Sequence, residues 1–283
     1  MILVSGAAGK TGLAVIAALA ARGEVVRAFV KNRRQTEAIH DAGAFGVVYG
    51  DMGDLSAWEK AMDGIRALYH IGPNMHEEEE QFGLNALQAA RKTQLEQFVY
   101  HSVLHPQTEA MPHHWHKLRV EEKILESGLS FTILQPAAYM QNISGGWQHI
   151  VEKGDYRVPY PVTTRLSLVH LADVAQVAAR VLTEAGHAGA TYELVGTDPL
   201  AQTEVADQIA AALGYEVRAE EISLELWREQ AEADGMASYA KESLLKMFRY
   251  YAKFGFAGNP RVLTWLLGRE PRTLADLVRD KIR

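Results

Sequence analysis

The sequence predicts an α/β protein with a doubly wound parallel sheet and a smaller, mainly helical C-terminal lobe. Short β-branched runs alternate with longer helix-forming segments through the first half of the chain, which is the pattern of successive βαβ units. The runs are apolar at nearly every position, as expected for strands that helices cover on both faces. Hydrophobic residues make up 48% of the 283 residues and charged residues 23%, which is typical of a folded chain.

Six apolar runs predict the strands of this sheet. They are Ile2 to Ser5, Val25 to Val30, Phe45 to Tyr49, Ala67 to Ile71, Gln97 to Ser102 and Phe131 to Leu134. Apolar spacing and helix-forming composition predict helices between them. The clearest of these helices are Thr11 to Arg22, Leu55 to Met62 and Glu78 to Lys92.

The second half of the chain is less regular than the first. Turn residues cluster around Gly145, Gly154 and Pro159. Helices are predicted from Ala172 to Leu182 and over most of the segment from Ser223 to Arg283. We therefore expect the sheet domain to comprise residues 1–138 with parts of 160–197, and the smaller lobe to comprise residues 139–159 and 198–283.

Charge and composition exclude several classes of partner. The net charge is −6 and the chain has no long basic run, which argues against a nucleic-acid surface because neutralising phosphates needs clustered cations. There is no cysteine, so neither a disulfide framework nor a thiolate nucleophile is available. The longest apolar helical stretch, Leu13 to Ala21, is shorter than the roughly 20 residues that cross a bilayer.

The partner expected from these exclusions is a small molecule, with neither a nucleic acid nor a membrane involved. The chain opens directly on its first apolar strand and shows no secretory signal before it. We therefore expect a cytoplasmic protein. The sequence leaves open whether it is a monomer or a homodimer, because a helix face that covers a sheet and one that joins two subunits have the same apolar pattern.

A glycine-rich turn joins the first predicted strand to the first predicted helix. Backbone N–H groups and the positive end of the helix dipole converge at such a turn, which therefore favours a phosphate. Gly6 would permit the tight turn, Gly9 the close approach of a phosphate, and Gly12 the contact between helix and strand. The alternative is a tight turn without a ligand. The residues expected at the pyrophosphate of a dinucleotide are Gly6, Ala8, Gly9, Lys10, Thr11 and Gly12.

A basic loop follows the second predicted strand. Sites that prefer NAD end this strand with a carboxylate, which accepts hydrogen bonds from the ribose hydroxyls and repels a 2′-phosphate. Here Val30 is followed by Lys31, Asn32, Arg33 and Arg34, and arginine binds phosphate through two parallel hydrogen bonds. The sequence therefore predicts NADP(H) as the cofactor, unless the loop is only the solvated start of a helix.

Two further strand ends suit a dinucleotide that lies across the sheet. Asp51 and Met52 follow the third predicted strand, where a carboxylate and a thioether are expected to contact the adenine. Ile71, Gly72 and Pro73 follow or end the fourth, where a bend in the chain would leave room for the nicotinamide ribose. This placement follows from the rule that open parallel sheets bind ligands at the carboxyl ends of their strands.

These residues resemble the NmrA-like branch of the atypical short-chain dehydrogenases. The resemblance covers most of the chain and rests on several segments. These are Gly6 to Gly12, Val26 to Asn32, Gly50 to Leu55, Phe98 to Val103, Thr132 to Pro136 and Trp265 to Leu274. It implies a Rossmann-type sheet that binds NADP(H), with a C-terminal lobe that binds substrate. Members include NADPH-dependent reductases of quinones, dyes and phenylpropanoid ethers, and regulators that bind the dinucleotide without turnover.

The resemblance also implies the residues around the nicotinamide. Ordinary short-chain dehydrogenases use a Tyr-x-x-x-Lys pair; here Lys117 matches the lysine and His113 stands where the tyrosine is expected. Histidine titrates near neutral pH and would serve as a proton donor, although water is an alternative source. Ser102 matches the family's strand-end serine. The residues expected to edge the nicotinamide pocket are Pro136, Ala137 and Tyr139.

Other chemistries have weaker signals. Histidines crowd the segment 101–116, but without a His-Glu-x-x-His helix, so we predict no metal site. The Gly-x-Ser-x-Gly turn of serine hydrolases is also missing. Two functions remain open: an NADPH-dependent oxidoreductase that transfers hydride to a small conjugated acceptor, and an NADP(H)-binding redox sensor without turnover. Ser102, His113 and Lys117 favour the reductase, and the missing tyrosine favours the sensor.

Overall fold

The computed structural model describes residues 1–93 and 95–282 of the chain. The chain divides into two compact units. The sheet unit comprises Met1–Thr108, His113–Gln135 and Val174–Tyr192, and the C-terminal unit comprises the segments that begin at Glu109, Pro136 and Glu193. Of the range 160–197, parts of which were expected in the sheet domain, residues 174–192 belong to the sheet unit.

The strands among the described residues extend through both units. In chain order they are β1 (Ile2–Ser5), β2 (Val26–Val30), β3 (Gly46–Tyr49), β4 (Ala67–His70), β5 (Gln97–His101), β6 (Phe131–Pro136), β7 (Ala138–Tyr139), β8 (Asp155–Val158), β9 (Arg165–Leu166), β10 (Leu168–Val169), β11 (Ala190–Leu194), β12 (Leu200–Ala201) and β13 (Arg218–Glu221). All of the predicted strands are confirmed, and each boundary agrees within two residues.

The central sheet has seven strands in the order β11-β6-β5-β4-β1-β2-β3. Strands β1 to β6 pair in parallel, which confirms the predicted fold class. Strand β11 was not predicted because its sequence mixes polar and apolar residues. Its residues Ala190, Thr191, Tyr192, Glu193 and Leu194 do not form the continuous apolar run of a central strand.

The helices follow the same chain order. They are α1 (Lys10–Ala20), α2 (Thr36–Asp41), α3 (Leu55–Met62), α4 (Glu79–Arg91), α5 (Pro112–Leu125), α6 (Trp147–Lys153), α7 (Leu171–Thr183), α8 (Gln202–Leu213), α9 (Leu224–Ala233), α10 (Ser238–Phe254), α11 (Arg261–Leu267) and α12 (Leu274–Ile282). Short 3₁₀ turns occupy Arg33–Gln35 and Met140–Gly146. No helix in the described part of the chain has both the length and the apolar character to span a bilayer.

The parallel pairing gathers the strand ends at one edge of the sheet. Ser5, Val30, Tyr49, His70 and His101 are the last residues of β1 to β5, so the segments that follow them lie along the same edge. Below this edge, a core that includes Leu3, Phe29, Trp58, Leu68 and Phe98 is completely buried. A rigid, close-packed layer therefore supports the loops on which the candidate residues lie.

The C-terminal unit is mainly helical from residue 223 onward, as predicted, with Arg283 outside the described residues. A buried carboxylate, that of Asp173, binds the segment before the last helix. Asp173 is fully buried and accepts hydrogen bonds from the guanidinium groups of Arg269 and Arg272 and from the backbone N–H of Arg272. Several aromatic residues pack on one another, as Trp227 does on Phe248 with ring centroids 4.8 Å apart.

Candidate cofactor site and active site

The glycine turn between β1 and α1 depends on two of its glycines for internal reasons. Gly6 has φ +60°, and a Cβ there would lie 2.6 Å from the carbonyl oxygen of Ile71. A Cβ at Gly12 would lie 2.5 Å from the carbonyl oxygen of Gly6 and 2.6 Å from the Cα of Ala7. Both distances are shorter than a side-chain carbon can adopt, so β1, the turn and α1 approach one another only without these side chains.

Gly9 differs from the other two glycines. A Cβ at Gly9 would meet one atom of the described residues within 4 Å, the carbonyl oxygen of Gly6 at 3.4 Å, which is an ordinary contact. The missing side chain therefore leaves open space above the start of α1. The N-cap residue of this helix is Gly9, which provides no side-chain cap, and the first turn has no acidic residue. An uncapped helix N-terminus beside open space fits the pyrophosphate of NADP(H).

Alanine at Gly12 and alanine at Gly9 are expected to have different effects. Gly12→Ala forces a methyl group against backbone atoms, so we expect a loss of about 1–3 kcal/mol in the free energy of unfolding. Gly9→Ala is expected to unfold like the parent but to bind NADPH more weakly. Urea unfolding and NADPH titration of both variants check this. Equal destabilisation by the two alanines would show that Gly9 serves the turn and not a ligand.

The basic loop after β2 contains an ion pair. The Nζ of Lys31 lies 2.6 Å from Oδ2 of Asp51, whose Oδ1 accepts a hydrogen bond from the backbone N–H of Gly53. The hydrogen bond from Lys31 lowers the pKa of Asp51, and the same bond raises the pKa of Lys31. Asp51 was expected to contact adenine, and in the structure its carboxylate faces Lys31. Both roles at the cofactor stay predictions.

The arginines of this loop lie in different surroundings. The guanidinium of Arg33 lies over the ring of Tyr49, 4.7 Å from its centroid. Arg34 is exposed. Asn32 accepts a hydrogen bond from the backbone N–H of Arg34 at 2.9 Å, so its side chain caps the 3₁₀ turn. Met52 follows Asp51, and its carbonyl oxygen accepts hydrogen bonds from Trp58 and Asn85.

The segment after β4 is tied to β1. The hydroxyl of Ser5 lies 2.8 Å from Nδ1 of His70 and accepts the backbone N–H of Ile71 at 3.1 Å. A Cβ at Gly72 would lie 3.5 Å from Cγ of Glu79, so the chain here passes close to the start of α4. Ile71 thus lies beside the glycine turn. The place of Ile71, Gly72 and Pro73 at the nicotinamide ribose stays a prediction.

Helix α5 presents polar residues to the interior of the sheet unit. Its buried residues are His113, His114, Lys117, Val120, Glu121 and Ile124, and their spacing is helical. A helix was expected between the fifth and sixth strands, but no bounds were predicted for it, because four of the six buried residues are polar or charged and give no apolar periodicity. The helical recurrence of histidine, lysine and glutamate was the signal that could have revealed it.

Lys117 forms a buried ion pair. Its side chain is 6% exposed and that of Glu79 is 1% exposed, and the Nζ of Lys117 donates a hydrogen bond to Oε1 of Glu79. The second carboxylate oxygen of Glu79 has no hydrogen-bond partner among the described residues. The expected partner of Lys117 was a ribose hydroxyl, whereas the structure gives its ammonium a carboxylate. Glu79 was missed because it is one of four consecutive glutamates, which sequence cannot rank by burial.

His113 does not have the near-neutral pKa that its predicted role requires. It is buried, and burial, followed by the neighbouring His114 and Lys117, lowers its pKa to about 2. The imidazole is therefore neutral at pH 7 and holds no readily donated proton. This low pKa differs from the near-neutral value expected of a proton donor here, because the sequence shows residue type and not desolvation. The role of His113 stays a prediction.

Ser102 lies beside a second buried carboxyl group. It is 2% exposed at the end of β5 and forms no well-aligned hydrogen bond among the described residues. The amide of Gln135 donates to both oxygens of Glu121 at 2.9 and 3.0 Å. Burial raises the pKa of Glu121, and contacts with Ser102 and Gln135 oppose that shift. Glu121, like Glu79, was not singled out from the sequence.

The chain matches a known protein family over almost its whole length. The model of the NmrA-like family matches residues 1–278. The chain belongs to the NmrA-like family. It is 26% identical over 280 residues to quinone oxidoreductase 2 of Escherichia coli strain K12, with 98% of this chain and 97% of that protein covered. It is 25% identical over 281 residues to the NAD(P)H azoreductase of Xenophilus azovorans, with 99% and 97% covered.

Solved structures resemble the chain over nearly its full length. The NADPH-dependent quinone oxidoreductase of Escherichia coli, complexed with NADPH, superposes with a TM-score of 0.86 at 25% identity, covering 100% of both chains. The triphenylmethane reductase of Citrobacter sp., complexed with NADP(H), has a TM-score of 0.85 at 25% identity, covering 99% of each chain. The NmrA-like chain therefore shares its architecture with proteins whose structures contain the predicted cofactor.

The remaining predicted pocket residues of this NmrA-like chain lie in the C-terminal unit. Pro136 ends β6. The backbone N–H of Ala137 donates to the carbonyl of Leu194 at 3.0 Å, and Tyr139 pairs with Val169 between the short strands β7 and β10. Their role beside the nicotinamide stays a prediction.

Buried histidines of the sheet unit predict an acid-sensitive fold. Burial lowers the pKa of His70 and His101 to about 3, of His113 to about 2 and of His114 to about 4, from an ordinary value of 6.5. Below pH 6.5 these histidines take up protons in the unfolded chain but stay neutral in the folded chain. The stability present above that pH is therefore lost as the pH falls towards the pKa values of the histidines in the folded state.

The expected loss is about 1.4 kcal/mol per pH unit for each histidine that stays neutral in the fold. Urea unfolding at a series of pH values from 7 to 5 measures the slope. In a His101→Gln variant the slope should be smaller by about 1.4 kcal/mol per pH unit, the contribution of one histidine. A free energy of unfolding that does not change across this range would contradict the buried neutral state of these histidines.

Proposed function

We propose that the chain is an NADPH-dependent oxidoreductase that transfers a hydride to a small conjugated acceptor of quinone, azo-dye or enone type. The observation that carries the proposal is the joint placement of two sites at one sheet edge. One is the open, uncapped start of α1 above Gly9, and the other is the cationic loop directly after β2. The first suits a pyrophosphate and the second suits a 2′-phosphate.

The chain's own residues bind and orient in this proposal. The turn from Gly6 to Gly12 holds the pyrophosphate, the basic loop holds the 2′-phosphate, and Met52 and Asp51 lie where the adenine is expected. NADPH, when bound, supplies the hydride. The relatives named above, a quinone oxidoreductase and an azoreductase, support the reaction class.

The lack of a strong proton donor among the described residues near the proposed nicotinamide site indicates the class of acceptor. Reduction of a simple ketone leaves an alkoxide, which needs a strong proton donor in the transition state. His113 is neutral, and Lys117 is bound to Glu79. A quinone or an enone leaves a conjugated anion that water protonates after hydride transfer. The site is therefore better suited to conjugated acceptors than to simple ketones.

A panel of acceptors tests the proposal. The purified protein is mixed with NADPH and with quinones, azo dyes or unsaturated ketones, and the loss of the near-ultraviolet absorbance of NADPH is followed. Simple ketones are the matched control. We expect turnover with at least one conjugated class and none with simple ketones. Equal rates with simple ketones would contradict the argument from the missing acid, and failure to bind NADPH would contradict the proposal itself.

The same observations favour a second candidate, a redox sensor that binds NADP(H) without turnover. The neutral His113 and the paired Lys117 leave this edge of the sheet without the acid of an ordinary short-chain dehydrogenase. A sensor would bind NADPH and NADP⁺ with different affinities and would leave NADPH intact with every acceptor. Tight binding without turnover across the panel would favour this candidate over the reductase.

A further inference from the structure

The cations of the loop after β2 are not equivalent. Lys31 is 81% exposed, and its ammonium lies against the carboxylate of Asp51. A phosphate that approaches Lys31 therefore also meets a negative charge. Arg33 forms no ion pair with a carboxylate among the described residues and lies instead on the ring of Tyr49. Of these two cations, Arg33 presents the less compensated positive charge.

Tyr49 is itself held at both ends. Tyr49 is the last residue of β3, and its backbone pairs with that of Val30, the last residue of β2. Its hydroxyl shares a hydrogen bond of 2.8 Å with the hydroxyl of Thr36, which in turn donates to the carbonyl oxygen of Arg33 at 2.6 Å. The ring of Tyr49 and the backbone of Arg33 are thus fixed relative to each other.

The way Arg33 stacks leaves its binding groups available. An aromatic ring attracts a guanidinium through the face of the cation, whereas phosphate is bound through the N–H groups in its plane. Stacking on Tyr49 therefore does not use the groups that a phosphate needs. It also restricts the side chain before a ligand arrives, so that less conformational entropy is lost on binding.

We propose that Tyr49 is a positioning residue that holds Arg33 ready for the 2′-phosphate, so that Arg33, and not Lys31, carries most of the preference for NADPH over NADH. The inference rests on the proposed function, because it assumes that this loop meets the 2′-phosphate. It adds a residue that touches neither the glycine turn nor the reacting atoms, and it ranks two cations that the sequence alone treats alike.

A double-mutant cycle tests the inference through binding alone. NADPH, NADH and 2′,5′-ADP, which has the 2′-phosphate but no nicotinamide, are titrated against the parent and the variants Arg33→Ala, Tyr49→Leu, both together, Tyr49→Phe and Lys31→Ala. We expect Arg33→Ala to weaken NADPH and 2′,5′-ADP roughly 10- to 100-fold and Tyr49→Leu about two- to fivefold. In the Arg33→Ala background, Tyr49→Leu should have no further effect.

The controls separate positioning from folding. Tyr49→Phe keeps the ring and should retain most of the NADPH affinity, and NADH should bind alike in all variants. If Tyr49→Leu shifts the urea midpoint, Tyr49→Thr replaces it, because a β-branched residue suits the strand. The inference is overturned if Tyr49→Leu costs the same with and without Arg33, or if Lys31→Ala costs as much as Arg33→Ala. Both outcomes leave the proposed function intact, whereas a parent that binds neither NADPH nor 2′,5′-ADP overturns both.

Discussion

Replacing Lys117 by alanine is expected to lower the free energy of unfolding by about 3–5 kcal/mol, because it leaves a buried carboxylate without its cation. Glu79 is 1% exposed and has one oxygen bound to Lys117 and the other without a partner among the described residues. Urea unfolding of the variant measures the loss.

The matched control removes both charges. Replacing a buried ion pair by uncharged residues of similar size is often neutral or stabilising, so Lys117→Met combined with Glu79→Gln should recover most of the lost stability. The double variant also separates two roles of Lys117. If it folds and still oxidises NADPH at the parent rate, Lys117 is structural; if it folds and binds NADPH but turns over slowly, the ammonium acts in the reaction. A loss below about 1 kcal/mol in Lys117→Ala would show the pair to be exposed in solution.

Reversing the charge of the basic loop is expected to abolish the preference for NADPH. The combined variant Lys31→Glu with Arg33→Glu removes charge-assisted hydrogen bonds to the 2′-phosphate and adds repulsion. We expect NADPH affinity to fall on the order of 100-fold or more. NADH has no 2′-phosphate and should lose little. Titration of the parent and the variant with both cofactors measures the change.

The control for this reversal is an exposed arginine far from the loop in sequence. Arg218 forms an exposed ion pair with Glu216 in the C-terminal unit, so Arg218→Glu changes net charge by the same amount per residue without touching the loop. It should leave both affinities near the parent values. An equal loss of NADPH and NADH in the loop variant would contradict the assignment of this loop to the 2′-phosphate.

The sequence was sufficient for the parts of the fold that repeat a simple pattern. Strands β1 to β6 contain nearly continuous apolar runs, even β3, which is only half-buried at one edge of the sheet. The turn from Gly6 to Gly12 follows the first of these strands. The sequences of β11 and α5 lack such a simple pattern. Strand β11 contains Thr191 and Glu193, and α5 buries histidine, lysine and glutamate where an ordinary helix buries leucine.

The residues proposed for the phosphates could be selected from the sequence, whereas the surroundings of the residues proposed near the nicotinamide could not. Glycines and cations at strand ends have a local meaning that sequence preserves. The roles of Lys117 and His113 depend on partners and desolvation that arise only in the fold: Glu79 is 38 positions away from Lys117, and the pKa of His113 is set mainly by burial. Tyr49 and Glu121 were missed for the same reason, since their importance lies in what they touch.

The central claim is that bound NADPH gives up its hydride on this protein. Its most direct test is a single-turnover reaction with a quinone, in which excess protein is loaded with NADPH that bears deuterium at one or the other face of nicotinamide C4. We predict that the absorbance of NADPH decays in one fast phase, and that deuterium slows this phase on one face only. NADPH that binds but keeps its absorbance with every conjugated acceptor would contradict the claim.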